Sequence, residues 1–285
     1  MNQYLKLLRV QQWYKNLVIF LALFFTNNML NTPLLLKTVY GFISLCMVSS
    51  SYYILNDIRD RQEDRNHPEK RKRPIASGEV GVGSAVVISL TLVAASLALA
   101  YSLSTVFALF PIALFLSSMA YTLKLKDIAF VDVHMIALNF LIRAVSGAVL
   151  IGVTASPWLI TTVFFMALFL GVSKRKAEYH LLGKGAVNHK SVYNVYNEKL
   201  LNMLIMVITT TLLFNYSLYT FIVHEKPYMM LTIPFATFMI FRYLYFVSTD
   251  HVAARKTEYL FKDMQMVLAF FLWMIVSFLI IRAYG

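Results

Sequence analysis

Residues 34–64 read LLLKTVYGFISLCMVSSSYYILNDIRDRQED, an apolar run that carries no charge after Lys37 until it closes in the acidic stretch NDIRDRQED at 56–64. A membrane-spanning helix needs about 20 predominantly apolar residues, so this run predicts a span with its chemistry at one end. If the helix continues into the acidic stretch, a turn of about 100° per residue brings Asp57, Asp60 and Asp64 onto one face. Like charges at that spacing weaken a helix by about 0.2–0.5 kcal/mol per pair, so a cation is expected among them. Oxygen ligands of this kind suit Mg²⁺, which keeps waters and substrate phosphates as its other ligands. Asn56 can add a carbonyl oxygen, making Asn56, Asp57, Asp60 and Asp64 the candidate metal set and the three aspartates the candidate catalytic groups. The plainer alternative is a solvated helix end in which Arg59, Arg61 and Arg65 pair the acids.

The next residues weigh against that alternative. RNHPEKRKRP at 65–74 places Arg65, Lys70, Arg71, Lys72 and Arg73 directly after the acids. Acids to hold a metal, followed by bases to hold phosphate oxygens, make a diphosphate site. A topology signal alone needs the bases but not the acidic face.

Outward from this stretch, nine apolar segments can be drawn, near 16–31, 34–56, 82–101, 103–122, 130–151, 157–174, 200–222, 228–247 and 264–282. Of 285 residues, 59% are hydrophobic and 14% charged, with a net charge of +12. Soluble domains carry about 25% charged residues, so a soluble fold is excluded and the solvent is lipid. The basic excess could serve nucleic acid, an anionic lipid surface or membrane topology. With nine spans, 21 of the 26 Lys and Arg fall on one side, and Lys37, Lys226 and Arg282 on the other. That asymmetry predicts a cytoplasmic amino terminus, an outside carboxyl terminus and no nucleic-acid partner. The first apolar run lacks a small-residue cleavage site and is expected to be a helix, not a removable signal. Cys46, the single cysteine, is expected to be core filling.

NDxxDxxxD at the end of a second helix resembles the first motif of the UbiA superfamily of intramembrane prenyltransferases. Asn56, Asp57, Asp60 and Asp64 match its defined positions, and RPIASG at 73–78 is similar to the family's continuation. The resemblance implies an all-α polytopic membrane protein of nine transmembrane helices, a UbiA-like bundle with a cytoplasmic active-site cap, forming one domain over 1–285. It also implies a bacterial or archaeal cell membrane and an active site facing the cytoplasm.

The superfamily's second acidic motif, near the end of the sixth helix, is replaced here by SKRKAEYHL at 173–181, with Lys174, Arg175 and Lys176 and only Glu178 as an acid. Bases in place of metal-binding acids are expected to bind a further anion directly. That reversal resembles the decaprenyl-phosphate phosphoribosyltransferases. Similar signatures are QWYKN at 12–16, YTLKLKDIAFVD at 121–132, NFLIRAVSGA at 139–148, SKRKAE at 173–178 and FRYLYFV at 241–247. The chain departs from that family at Val10, where proline is frequent, and at Met264-Gln265, where a basic residue and proline are usual.

The resemblance implies transfer of a 5-phosphoribosyl group from phosphoribosyl pyrophosphate to a polyprenyl phosphate, with Mg²⁺ as cofactor and membrane lipid as surroundings. The alternatives are transfer of a prenyl group from a prenyl diphosphate to an aromatic or lipid acceptor, and a transporter or scaffold with a cation site. Lys15, Lys124, Lys174 and Arg175 are the candidates for the ribose 5-phosphate and the acceptor phosphate, and Lys70, Arg71 and Arg73 for closing over the donor. Arg143 lies within an apolar segment, where an arginine costs about 2.5–3.5 kcal/mol on insertion scales. It is expected to meet a phosphate or, less favoured by distance, Asp132. Tyr53, beside Tyr52 and one turn before the acids, is a candidate wall of the substrate pocket.

Overall fold

A computed structural model describes residues 3–66, 70–183, 191–222 and 227–284, and all regular structure among them is helical. His67–Glu69, Lys184, Lys190 and Lys226 of the sequence reading lie outside the described residues. Seven helices are long and apolar enough to cross a membrane: Thr32–Arg59, Val82–Leu103, Val131–Ile151, Pro157–Leu182, Glu198–Ile222, Pro227–Ser248 and Met264–Tyr284. The chain is that of an integral membrane protein. Two of the nine expected spans take other forms. The segment at 103–122 becomes the 15-residue helix Leu109–Leu123. The first becomes a 3₁₀ run, Val10–Phe20, continuing as the short helix Leu21–Phe25. Its apolar stretch is brief, polar residues from Gln11 to Asn16 occupy its start, and Asn27 turns the chain at φ 59°.

The chain divides into two compact units. The first comprises Met1–Leu23, Met29–Leu123 and Ile142–Thr154. Its central helix, Thr32–Arg59, begins where the Asn31 side chain accepts from the Leu34 N–H at 3.3 Å, with Pro33 in the first turn. Serines join it to Val82–Leu103. The Ser44 hydroxyl donates to the Ser96 carbonyl at 2.9 Å, the Ser96 hydroxyl to the Ser44 carbonyl at 2.8 Å, and the Ser51 and Ser89 hydroxyls meet at 2.8 Å. Lipid offers no hydrophobic drive for helix pairing, so small side chains and interhelical hydrogen bonds carry it. Arg59, at the helix end, donates to the carbonyls of Thr122 and Leu123, the latter at 2.8 Å. It therefore satisfies the last turn of Leu109–Leu123 and is not spent on the neighbouring acids.

The second unit comprises Phe24–Asn28, Lys124–Leu141 and Ala155–Gly285. Ser156-Pro157 opens the Pro157–Leu182 helix, which continues without a break past its last apolar turn into SKRKAEYHLL. Asn215 ties this helix to Glu198–Ile222, accepting from Thr161 at 2.9 Å and donating to Thr162 at 2.6 Å. Phe169, Leu201, Tyr243 and Phe246 form part of its buried core.

Two glycines separate close approach from open packing. A Cβ at Gly147 would lie 2.0 Å from the carbonyl oxygen of Ile19, whereas at Gly171 it would meet Val133 at 3.5 Å. Overpacking costs about 1–3 kcal/mol, and a backbone oxygen cannot rotate away. We predict that Gly147→Ala lowers the melting temperature in detergent while Gly171→Ala keeps or raises it, since Ala favours a helix over Gly by about 0.5–1 kcal/mol. Equal melting of the two variants would refute the close approach at Ile19.

Candidate functional site

The acidic stretch does not form one continuous helix. Thr32–Arg59 stops at Asp60, whose N–H donates to the Asn56 carbonyl at 2.9 Å, and a new turn, Arg61–Asn66, begins beyond it. Asp57 and Asp64 are nonetheless brought together, each with 2% of its surface exposed. A single Arg73 nitrogen, Nη1, lies 3.0 Å from Asp57 Oδ1 and 2.6 Å from Asp64 Oδ2. Arg9 Nη2 also donates to Asp57 Oδ1. Asp60 is less buried and accepts from Asn56 Nδ2 at 3.1 Å. Breaking a buried charge pair by removing one partner costs about 3–5 kcal/mol, so these arginines are what allow two carboxylates to be buried here.

The sequence fragments around the acids explain this placement. Arg73 precedes the short helix Pro74–Ser77, and Gly78 leaves it at φ 85°, a left-handed backbone that favours glycine. Pro74, Ile75 and Ala76 are buried, and Arg65 Nε donates to the Ala76 carbonyl at 3.1 Å. RPIASG is thus a seated turn that aims Arg73 at the acids. Arg71 and Lys72 point to the exposed side and Lys70 is partly buried. Arg9 has a left-handed backbone at φ 49°, and its guanidinium lies 4.9 Å from the centre of the Tyr53 ring. Tyr52 and Tyr53 are themselves 4.6 Å apart between ring centres.

Oxygen donors of three aspartates and one amide suit a hard divalent cation in chemistry. Their present arrangement has a guanidinium between Asp57 and Asp64, and no three His, Cys, Asp or Glu side chains among the described residues converge on a metal position. The donor set suits the ion in chemistry, and one oxygen each of Asp57 and Asp64 is held by Arg73.

Arg143, 3% exposed, donates from Nε to Asn16 Oδ1 at 2.7 Å and from Nη2 to the Tyr52 hydroxyl at 2.9 Å. Ser49 donates to the same Asn16 oxygen at 3.3 Å. Lys15 is partly buried, its Nζ 5.9 Å from the Tyr14 ring centre. Arg9, Asn16 and Tyr52 are thus structural partners of the site that the candidate set left out. Only QWYKN and the tyrosine pair hinted at the last two.

The second unit holds a separate charged cluster. Asp132 is fully buried and Arg175 3% exposed. Arg175 donates from Nε to Asp132 Oδ2 at 2.6 Å and from Nη1 to Glu178 Oε2 at 2.7 Å. Tyr196 donates to Asp132 Oδ1 at 2.7 Å and accepts from the Phe130 N–H at 2.7 Å. Tyr193 donates to Glu178 at 3.0 Å. Burial, then the hydrogen bond to Asp132, pushes the Tyr196 hydroxyl above its ordinary range, and burial with the Glu178 charge does the same to Tyr193. Both phenols therefore stay protonated donors. Asp132 is the partner of Arg175, and Arg143 has Asn16 and Tyr52. Lys174 remains half-exposed, 3.9 Å from Glu178 Oε1, and Lys124 is exposed. Arg242 grips Asp263 with two nitrogens at 3.3 and 2.8 Å, which, with that hydrogen bond as the leading cause, holds the Asp263 carboxyl below the usual carboxylate range.

Residues 16–281 match the UbiA prenyltransferase family. An uncharacterized protein of Sinorhizobium fredii, y4nM, is 35% identical over 177 residues, 62% of this chain and 34% of y4nM, so the chain spans about a third of that relative. A decaprenyl-phosphate phosphoribosyltransferase of Mycobacterium tuberculosis is 32% identical over 221 residues, covering 76% of this chain and 73% of that protein. The structure of a UbiA homolog from Archaeoglobus fulgidus bound to GPP and Mg²⁺ superposes with a TM-score of 0.73 at 17% identity, over 99% of this chain and 100% of that one.

Two outcomes follow from the pairs in the second unit. Arg175→Met leaves Asp132 buried without its cation and is expected to cost about 3–5 kcal/mol, read as a large drop in melting temperature, whereas Lys174→Met stays near wild type. Asp263, with its carboxyl held low, contributes stability that is full above the ordinary carboxylate pKa of about 4 and is lost as pH falls through the lower folded value. Asp263→Asn is therefore expected to flatten the acid limb of the melting profile; an unchanged limb contradicts the Arg242 pairing.

Proposed function

The chain belongs to the UbiA prenyltransferase family, and from that premise we propose that it transfers a 5-phosphoribosyl group from phosphoribosyl pyrophosphate to a polyprenyl phosphate, releasing pyrophosphate. One observation carries the assignment beyond the family: in the first unit a buried acid pair, Asp57 and Asp64, is held by Arg73, and in the second unit bases stand at 174–176 where a second acidic motif is expected. A donor with a diphosphate on C1 and a phosphate on C5, and an acceptor that is itself a phosphate, calls for one acidic cluster and several basic ones. The names of relatives such as the Mycobacterium tuberculosis enzyme favour the same donor and acceptor.

In this mechanism an acceptor phosphate oxygen attacks ribose C1 while the C1–O bond to pyrophosphate breaks, with oxocarbenium character at C1. The acceptor is anionic at neutral pH, so no strong general base is required and alignment is the main task. Asp57, Asp60 and Asp64, with Asn56, would hold Mg²⁺, whose charge stabilises the departing pyrophosphate. Arg73, Lys70 and Arg71 cover the donor diphosphate, and Tyr53 walls the ribose. Lys15 and Arg143 contact phosphate oxygens in the first unit, where Asn16 and Tyr52 fix the Arg143 guanidinium. In the second unit Lys124 and Lys174 are assigned to a phosphate, and Arg175 to the same cluster as the base that anchors it. The proposed topology is nine spans in one domain over 1–285, a cytoplasmic site and cap, an inside amino terminus and an outside carboxyl terminus.

A prenyl donor with an aromatic or lipid acceptor is the second reading, favoured by the family itself. Purified protein given labelled phosphoribosyl pyrophosphate, polyprenyl phosphate and Mg²⁺ is expected to move label into the organic phase. Asp60→Asn should reduce that transfer by about a hundredfold or more, the scale seen when one transition-state stabiliser is removed, while keeping the wild-type elution profile in detergent. Failure with several acceptor lengths, alongside prenyl transfer from a prenyl diphosphate, would sink the phosphoribosyl assignment.

A further inference from the structure

We propose that Arg9 and Arg73 divide the care of the acid pair: Arg73 is the resident cation of the donor-free site and is exchanged out by a divalent metal, while Arg9 stays on Asp57 as a positioning residue. This rests on the phosphoribosyl reading of the same site and extends it to a residue, Arg9, outside the family motif.

The two arginines are not equivalent in geometry. One Arg73 nitrogen touches Asp57 Oδ1 at 3.0 Å and Asp64 Oδ2 at 2.6 Å, so it stands between the two carboxylates. A metal bridging those acids and the Arg73 guanidinium cannot occupy that space together. Arg9 touches only Asp57 and leaves the gap toward Asp64 open. It is also fixed from two directions. Its guanidinium lies over the Tyr53 ring at 4.9 Å, a cation–π distance. Its backbone is left-handed, a conformation that costs a non-glycine residue energy and persists only where the surroundings impose it.

Burial makes the exchange necessary. Asp57 and Asp64 are each 2% exposed, and a buried carboxylate left without a cation partner is strongly destabilising. Arg73 bridges the two carboxylates and fixes their spacing. Its guanidinium is then released toward the incoming diphosphate, where its planar fork suits phosphate oxygens. A singly charged guanidinium leaves the acid pair as a divalent ion enters, so the two carboxylates gain one positive charge, and the freed arginine meets a new anion.

The test is metal binding and thermal melting of the full-length protein in detergent, with Mn²⁺ as probe. Without phosphoribosyl pyrophosphate, Arg73→Gln is expected to bind Mn²⁺ about tenfold more tightly than wild type, the effect of losing a competitor that a 1.4 kcal/mol change would produce. Its melting temperature should fall and be restored by Mn²⁺. Arg73→Lys, which keeps a charge but not the fork, should fall between the two and covers the case in which the glutamine variant does not fold. Arg9→Gln should melt lower without gaining Mn²⁺ affinity and without rescue by Mn²⁺. Unchanged Mn²⁺ affinity in both Arg73 variants, or Arg9→Gln matching them, overturns the division. If those results fail while wild type still transfers label from phosphoribosyl pyrophosphate, only the exchange is lost; if wild type transfers none, the reading beneath it falls.

Discussion

Two carboxylates almost without solvent, Asp57 and Asp64, determine how the first unit is built around them. An ionised carboxylate in low dielectric is tolerated only when paired and hydrogen-bonded. Every local feature near them can be traced to that demand. The serine contacts to Val82–Leu103 hold the helix that carries Asp57 in its last turn. Arg59 leaves the acids and caps the neighbouring helix instead. The RPIASG turn, with buried Pro74, Ile75 and Ala76 and left-handed Gly78, exists to deliver Arg73.

The second unit solves the same problem with the charges moved. Bases at 174–176 suggest a surplus of positive charge, but one of the three, Arg175, is buried on Asp132 and Glu178. Tyr196 and Tyr193 each donate a further hydrogen bond to those acids. What the cluster presents outward is less basic than the sequence run implies. Arg175 is therefore architectural at this motif, locking the ends of two helices, while Lys174 stays half-exposed beside Glu178.

Much of the fold was legible because membrane burial writes itself in long apolar runs. Seven of nine segments need no tertiary information to be seen, since about 20 apolar residues state both the helix and its surroundings. The segment at 16–31 was not legible in the same way. Its start mixes Gln, Trp, Tyr, Lys and Asn, and the Ile19 carbonyl of its 3₁₀ run lies against Gly147, a contact across the chain that no local pattern shows. The acids at 57, 60 and 64 were readable from spacing, but the break at Asp60 was not, because helical periodicity carries no sign of a single residue leaving helical geometry. Arg9 was invisible for a similar reason. It is 48 residues from Asp57, and a basic residue near an amino terminus reads first as a topology signal.

The choice of arginine over lysine at position 73 follows from the geometry of the acids it serves. Asp57 and Asp64 lie on separate turns after the helix stops at Asp60, so a cation that holds both must donate in two directions from a fixed place. Guanidinium does this with little loss of freedom, and its weak hydration lowers the cost of leaving water. An ammonium of the same charge is a strongly hydrated point on a flexible stem. The same properties let a guanidinium leave one pair of oxygens for another, because carboxylate and phosphate present matching acceptor pairs. A residue that must hold two buried carboxylates from one place has to donate to both at once, and Arg73 does.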